Sequence, residues 1–157
     1  RIMANDLDPD IPIPCHPSCK VEFVDKEKIY AEADIISLHV PLTSNTKNMI
    51  TKDEISLMRP GTFLINTSRG GIINESDLYW ALDSGHLGGA AVDVFEREPY
   101  HGCLTKLDNC LLTAHMGSMS IDCRTQMEIE ASEDACRFIR GEPLRFPVPD
   151  AEYQNQI

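Results

Sequence analysis

The stretch Asp34-Ile-Ile-Ser-Leu-His-Val40 decides the fold class of this chain. It is an almost unbroken apolar run of strand length, which is typical of a parallel strand covered on both faces. The segment that follows predicts a helix, because Thr51 can cap the amide of Glu54 while the Glu54 side chain reaches back. That helix should end at Arg59-Pro60-Gly61, since the residue before a proline disfavours helical geometry.

The same alternation of short apolar runs and amphipathic segments continues in both directions. Further strands are predicted over residues 2–5, 20–24, 62–66, 89–92 and 110–113, and further helices over residues 26–33, 75–84 and 120–140. Residues 8–18 form a proline-rich loop in this interpretation. Strands that alternate with helices predict an α/β fold, a Rossmann-like doubly wound parallel sheet with right-handed crossovers and helices on both faces.

The last predicted helix carries an apolar stripe, which we expect to pack in the core because its spacing is helical. The stripe consists of Cys123, Met127, Ala131, Ala135 and Phe138. After Gly141, residues 142–157 are predicted to form a C-terminal tail.

Composition and charge exclude several classes of partner. The 157 residues carry a net charge of −11, which disfavours nucleic acids and anionic membranes because both are polyanions. No apolar run has the roughly 18 residues of a membrane helix and no signal peptide is visible, so we expect a cytoplasmic protein with reduced thiols. The cluster Cys15-His-Pro-Ser-Cys19 has no second ligand pair, so no metal site is predicted.

Polar residues follow the apolar runs, at the points where the predicted strands end. In open parallel sheets ligands bind beyond the carboxyl ends of the strands. We therefore expect an acid, an imidazole, a guanidinium and small hydroxyl residues to meet at one edge. These residues are Asp6, His39, Pro41, Thr67, Ser68, Arg69, Asp93, His115, Gly117 and Ser118.

Two of these residues suggest chemistry by themselves. Arg69, between a strand end and Gly70-Gly71, can offer a forked donor to a carboxylate or a carbonyl oxygen, although a surface arginine in a tight turn has the same pattern. His115 can act as a general base if a carboxylate lies beside it, although a hydrogen-bonded, partly buried histidine is the alternative. The local sequence does not show whether Glu98 and His115 touch.

Five strings in order give the sequence a specific resemblance. They are His39-Val-Pro-Leu-Thr43, Met58-Arg-Pro-Gly61, Asn66-Thr-Ser-Arg-Gly-Gly71, Gly89-Ala-Ala-Val-Asp-Val-Phe95 with Glu98-Pro99, and Thr113-Ala-His-Met-Gly-Ser118. Together they resemble the NAD-binding domain of the D-2-hydroxyacid dehydrogenases, over residues 1–142. The resemblance implies an oxidoreductase that transfers a hydride between NAD(H) and C2 of a small D-2-hydroxy acid or 2-keto acid.

The resemblance also implies roles for individual residues. Arg69 would bind and polarise the substrate, His115 would exchange the hydroxyl proton, and Glu98 would pair with His115. The implied cofactor contacts are Asp6, Thr67, Ser68, Arg69, Asp93, His115, Gly117 and Ser118, with Pro41 and Thr46 as weaker candidates. Asp6 would accept from the adenosine ribose and repel a 2′-phosphate, which favours NAD over NADP, although Asp8 could take this role.

The 157 residues contain no G-x-G-x-x-G sequence, the loop that holds a pyrophosphate at a helix N-terminus. We expect this loop, with the first βα unit, just before Arg1, and the substrate domain elsewhere in the parent enzyme. Residues 1–141 would then be a partial NAD-binding domain that is inactive alone.

Residues 37–94 most resemble D-3-phosphoglycerate dehydrogenases, with glyoxylate or hydroxypyruvate reductase as the alternative. A non-catalytic NAD-sensing protein of the corepressor type is the alternative from another functional class. A homodimer through the cofactor domain is also implied by the resemblance.

Overall fold

A computed structural model describes residues 1–7 and 20–148 of the chain. Its strands are β1 (Ile2–Ala4), β2 (Val21–Phe23), β3 (Ile35–Leu38), β4 (Phe63–Asn66), β5 (Gly89–Val92) and β6 (Cys110–Leu112). Its helices are α1 (Lys26–Glu32), α2 (Lys52–Leu57), α3 (Glu75–Asp83) and α4 (Ile121–Arg140), with a 3-10 turn at Cys103–Lys106. Each predicted strand and helix is present, shorter by a few residues at most. The predicted proline-rich loop, the Cys15–Cys19 cluster and Asp8 lie outside the described residues.

The main sheet has four parallel strands in the order β3-β4-β5-β6, which confirms the predicted Rossmann-like α/β fold. β1 and β2 form a separate parallel pair, so the expected single sheet is divided in two. Within the described residues no strand lies between β1 and β3, and these two edges line one cavity of about 690 Å³. The carboxyl ends of β3 to β6 lie along one edge because every pair is parallel.

Helices α1, α2 and α3 pack side by side and cover one face of the main sheet. The pleat points Ile36, Leu38 and Leu64 towards these helices, where all three are buried. On the opposite face Ile35 is 63% exposed and Leu111 is 66% exposed. The prediction that the β3 segment is covered on both faces is therefore wrong for the described structure, because its helices α1 to α3 share one face.

Helix α4 has no buried residue, so the prediction that its apolar stripe packs in the core is wrong. Met127 is 53% exposed and Phe138 is 76% exposed. Helical spacing shows that apolar residues share a face, but it does not supply a partner for that face. The segment after the helix folds back on it, because the Asp134 carboxylate accepts hydrogen bonds from the backbone N–H groups of Arg145 and Phe146, 2.9 and 3.1 Å. The first residues of the predicted tail therefore contact α4.

The helices begin where the sequence predicts, whereas α2 ends at Leu57, two residues before the predicted Arg59. Thr51 and Glu54 form the expected capping box at the start of α2. The Asn74 side chain accepts from two backbone N–H groups at the start of α3. Gly141 ends α4 in the left-handed conformation, with φ of 70°. Among the residues that the structure describes, no helix is both long enough and apolar enough to span a bilayer.

Candidate active site

The turn after β4 carries Arg69, and Asn66 holds this turn in place. Asn66 is buried at the end of the strand, and its side-chain nitrogen donates to the Arg69 carbonyl oxygen at 2.9 Å. Its side-chain oxygen accepts from the backbone N–H and the hydroxyl of Ser68, at 3.1 and 2.9 Å. The Arg69 side chain is exposed and donates from Nη1 to the Ser68 carbonyl. Asn66 was not among the site residues predicted from the sequence, although an amide at the end of an apolar strand was an available signal.

Gly70 brings the Arg69 turn against the loop that follows β5. A Cβ atom on Gly70 would overlap the Phe95 carbonyl group and would lie 2.7 Å from the Glu96 backbone nitrogen. No side chain fits at position 70. Glycine is therefore required because the two backbone segments lie so close together, and not because of a positive φ. The turn that carries Arg69 and the loop that leads to Glu98 are thus in direct contact.

Asp93, at the end of β5, is 6% exposed and organises the turn formed by residues 113–117. Its Oδ1 accepts from the Thr113 hydroxyl at 2.5 Å and from the Met116 N–H at 2.8 Å, and its Oδ2 accepts from the Gly117 N–H at 3.2 Å. Burial alone would raise the pKa of Asp93, but the three hydrogen bonds and the interaction with His115 together outweigh it, so the pKa lies below its ordinary value. The carboxylate is therefore charged and directed into the protein's own turn.

Glu98 and His115 are in direct contact at the carboxyl edge of the main sheet. Their Oε2 and Nδ1 atoms are 3.1 Å apart, and the Phe95 N–H donates to Glu98 Oε1 at 3.1 Å. The hydrogen bond from His115, and then the one from Phe95, lower the pKa of Glu98. Because an ionised carboxylate only accepts hydrogen bonds, Nδ1 carries the proton between them. In the neutral imidazole, Nε2 then has a free lone pair that can accept a proton.

The pair is accessible to a ligand. The His115 side chain is 49% exposed and that of Glu98 is 39% exposed. A cavity of about 610 Å³ opens beside them, and Phe95, Tyr100 and Leu112 contribute to its walls. A small molecule can therefore reach an imidazole that is already held by a carboxylate.

The other predicted site residues follow the carboxyl ends of strands in both sheets. Asp6 is exposed at the end of β1 and lines the 690 Å³ cavity together with residues from the end of β3. Thr67, Gly117 and Ser118 lie in the turns around Arg69 and His115. The Thr46 hydroxyl donates to the Pro41 carbonyl and thereby closes its own turn.

Arg69 forms no hydrogen bond or ion pair with Glu98 or His115 in the described structure, although its turn touches their loop. Between residues 20 and 148, and in residues 1–7, no three His, Cys, Asp or Glu side chains come together as a metal site would require.

The fold and this edge define the class of the chain: a parallel α/β domain whose strand ends carry a carboxylate–imidazole pair next to an arginine turn. Residues 12–117 match the family described as the NAD-binding domain of D-isomer specific 2-hydroxyacid dehydrogenases. The chain belongs to this family, which confirms the resemblance found in the sequence.

Curated relatives match over only part of their length. Over 122 residues the chain is 44% identical to a glyoxylate reductase of Thermococcus litoralis, which covers 77% of this chain and 37% of the relative. Over 126 residues it is 36% identical to a D-3-phosphoglycerate dehydrogenase of Synechocystis sp., which covers 80% of the chain and 23% of the relative. The chain thus spans about a third or less of these relatives. Both names occur among them, so the preference for D-3-phosphoglycerate dehydrogenase stays a prediction.

Among solved structures, the TT0316 protein of Thermus thermophilus has a similar fold. It superposes with a TM-score of 0.83 at 32% identity, over 95% of this chain and 46% of that one.

Proposed function

We propose that this chain is the cofactor-binding part of an NAD-dependent oxidoreductase that interconverts a small D-2-hydroxy acid and the corresponding 2-keto acid. The observation that carries the proposal is the Glu98–His115 contact at the sheet edge of a chain from this family. Bound NAD⁺ would supply the hydride acceptor, and the protein would supply orientation and electrostatics.

In this proposal His115 is the general base and Glu98 orients it. During oxidation, Nε2 would take the proton of the substrate hydroxyl, and bound NAD⁺ would serve as acceptor for the C2 hydrogen and its electron pair. The product is a 2-keto acid, and the imidazole becomes positively charged. Glu98 stabilises that charge because its carboxylate lies 3.1 Å from Nδ1. Reduction of a 2-keto acid follows the same steps in reverse.

Arg69 is proposed to hold the substrate carboxylate. Its side chain is exposed, and its turn is fixed on one side by Asn66 and on the other by the approach of Gly70 to Phe95. A guanidinium offers two parallel N–H donors, which match the two oxygens of a carboxylate. The substrate would then be bound at one end while its C2 hydroxyl faces the imidazole.

The residues at the sheet edge fit part of a dinucleotide. Asp6 is exposed beside a cavity of about 690 Å³, where a carboxylate can accept from ribose hydroxyls and repel a 2′-phosphate. Thr67, Ser68, Gly117 and Ser118 would contact the nicotinamide end, with Arg69, Asp93 and His115 nearby. No G-x-G-x-x-G sequence occurs in the 157 residues, so we expect weak NAD binding and no steady turnover by this chain alone.

The test joins the chain to the N-terminal segment of a relative, the Thermococcus litoralis glyoxylate reductase. Substrate-dependent loss of NADH absorbance is measured with glyoxylate, hydroxypyruvate and 3-phosphohydroxypyruvate, and again with NADPH. We expect turnover with at least one of these acids and a preference for NADH. His115→Gln should lower the rate by about 10² to 10⁴-fold.

His101→Gln, at an exposed histidine outside the site, serves as the matched control and should leave the rate unchanged. NAD binding without turnover on any acid would favour a sensor instead. Turnover that survives His115→Gln would refute the assigned general base. The expected homodimer and cytoplasmic location also stay predictions, and light scattering of the purified protein tests the first.

A further inference from the structure

The turn of residues 113–117 is attached to the protein mainly through one buried residue, Asp93, with one further hydrogen bond from the Thr113 N–H to the Val92 carbonyl oxygen at 3.1 Å. Asp93 accepts three hydrogen bonds from it with its carboxylate, and its backbone oxygen accepts a fourth from the His115 N–H at 2.8 Å. Apolar packing does not hold this turn, because Ala114 and Met116 are exposed. The position of the His115 backbone therefore depends on Asp93.

His115 itself has a backbone conformation that needs such support. Its φ is 53°, in the left-handed region, which is unfavourable for a residue that carries a Cβ atom. Hydrogen bonds to Asp93 from Thr113 on one side and from Met116 and Gly117 on the other keep the turn in this conformation. The imidazole then points Nδ1 at Glu98.

We propose that Asp93 is a positioning residue, whose carboxylate fixes the 113–117 turn so that the His115 imidazole meets Glu98. The importance of Asp93 for catalysis rests on the proposed function. The test of its positioning role does not depend on that function. The resemblance in the sequence implied a contact between Asp93 and the cofactor, and that contact stays a separate prediction. The geometry points to a role that Asp93 performs with no ligand bound.

Two effects of Asp93 on Glu98 have opposite signs, which makes the proposal testable. The contact with His115 lowers the pKa of Glu98 more than any other interaction, while the negative charge of Asp93 raises it by a smaller amount. If Asp93 acted only through its charge, removing that charge would lower the pKa of Glu98 further. If Asp93 positions His115, its removal releases the imidazole, and the pKa of Glu98 rises towards the ordinary value of 4.5.

The experiment is a carboxyl carbon NMR titration of Glu98 in the 157-residue chain, with the variants Asp93→Asn and His115→Gln. An asparagine at position 93 presents an NH₂ group to backbone N–H donors, so part of the carboxylate's hydrogen bonding is lost. We expect Asp93→Asn to raise the pKa of Glu98 towards the value in His115→Gln. Asp83→Asn, which removes an exposed charge at the end of α3, should leave it unchanged.

Thr113→Val provides a second, milder test if Asp93→Asn fails to fold. It removes one hydrogen bond to Asp93 and keeps the charge, so a smaller rise in the same direction is expected. An unchanged or lower pKa of Glu98 in folded Asp93→Asn, or no change in folded Thr113→Val, would overturn the proposal. A higher pKa of Glu98 in both Asp93→Asn and Thr113→Val would support the positioning role. If the rate of the joined enzyme were at the same time unaffected by His115→Gln, the proposed function would be refuted while the positioning role stood.

Discussion

Gly70→Ala should damage the protein through one steric contact. The added methyl group would overlap the Phe95 carbonyl and would lie 2.7 Å from the Glu96 nitrogen, where ordinary contacts begin near about 3.5 Å. All the atoms in its way belong to the backbone, so no side-chain rotation relieves the overlap. The Arg69 turn and the loop that leads to Glu98 must therefore move apart by about 1 Å or more.

Overpacking of this kind costs about 1 to 3 kcal/mol of unfolding free energy. With a urea dependence of roughly 1 to 3 kcal/mol/M, a loss of about 2 kcal/mol lowers the unfolding midpoint by roughly 1 M. The fluorescence of Trp80, the only tryptophan in the sequence, reports this transition. In the joined enzyme a displacement of about 1 Å between Arg69 and His115 should also lower the rate by about 10²-fold.

Gly85→Ala is the matched control because its cost has a different origin. Gly85 has φ of 73° and nothing within 4 Å of the added methyl group, so the change strains only the local backbone. We expect a loss of about 1 kcal/mol and no change in rate. The reasoning is refuted if Gly70→Ala unfolds at the wild-type midpoint, or if it is destabilised while its rate equals that of Gly85→Ala.

Three further predictions test other parts of the structure. The folded-state pKa of Glu98 lies below the ordinary value of 4.5. The Glu98 carboxylate therefore stabilises the folded protein above pH 4.5, and this stabilisation is lost as the pH falls through the folded-state pKa. Glu98→Gln should lower the free energy of unfolding by less than about 1 kcal/mol, because the Glu98–His115 pair is exposed. In urea titrations this difference from the wild type should become smaller as the pH falls from about 6 to about 3. Thr51→Ala removes the α2 capping box and should cost about 1 kcal/mol in urea unfolding, whereas the exposed Ser56→Ala should cost little. Burial raises the pKa of the Cys110 thiol to about 11, so iodoacetamide at mildly alkaline pH should label the exposed Cys123 first, and equal labelling in peptide maps would contradict this.

The strands and helices could be predicted well from the sequence because each depends on residues close together in the chain. The capping box of Thr51 and Glu54 and the left-handed Gly141 are signals of this kind. Whether α4 is buried or exposed could not be predicted in the same way. An apolar stripe defines a face, but the partner of that face depends on parts of the protein distant in sequence.

The sequence predicts residues of the candidate site, but it does not indicate the residues that support them, and the reason is physical. The roles of Arg69, Glu98 and His115 are predictions from the resemblance, and the contact between Glu98 and His115 became visible only in the folded structure. Asn66 supports the Arg69 turn by closing a hydrogen-bonded loop over three residues, and no apolar periodicity indicates such a loop. The need for glycine at position 70 depends on a carbonyl group 25 residues away.

The relative placement of arginine and imidazole follows from the register of two central strands. β4 and β5 pair with Asn66 opposite Val92, and the Asp93 N–H donates to the Asn66 carbonyl at 3.0 Å. The residue that holds the Arg69 turn is thus bonded directly to the residue that holds the His115 turn. A slip of one residue would reverse which side chains face the helices, exposing Leu64, so the packed core makes such a slip costly. The core under α1 to α3 therefore fixes not only the fold but also the distance between the two groups that would act on one substrate.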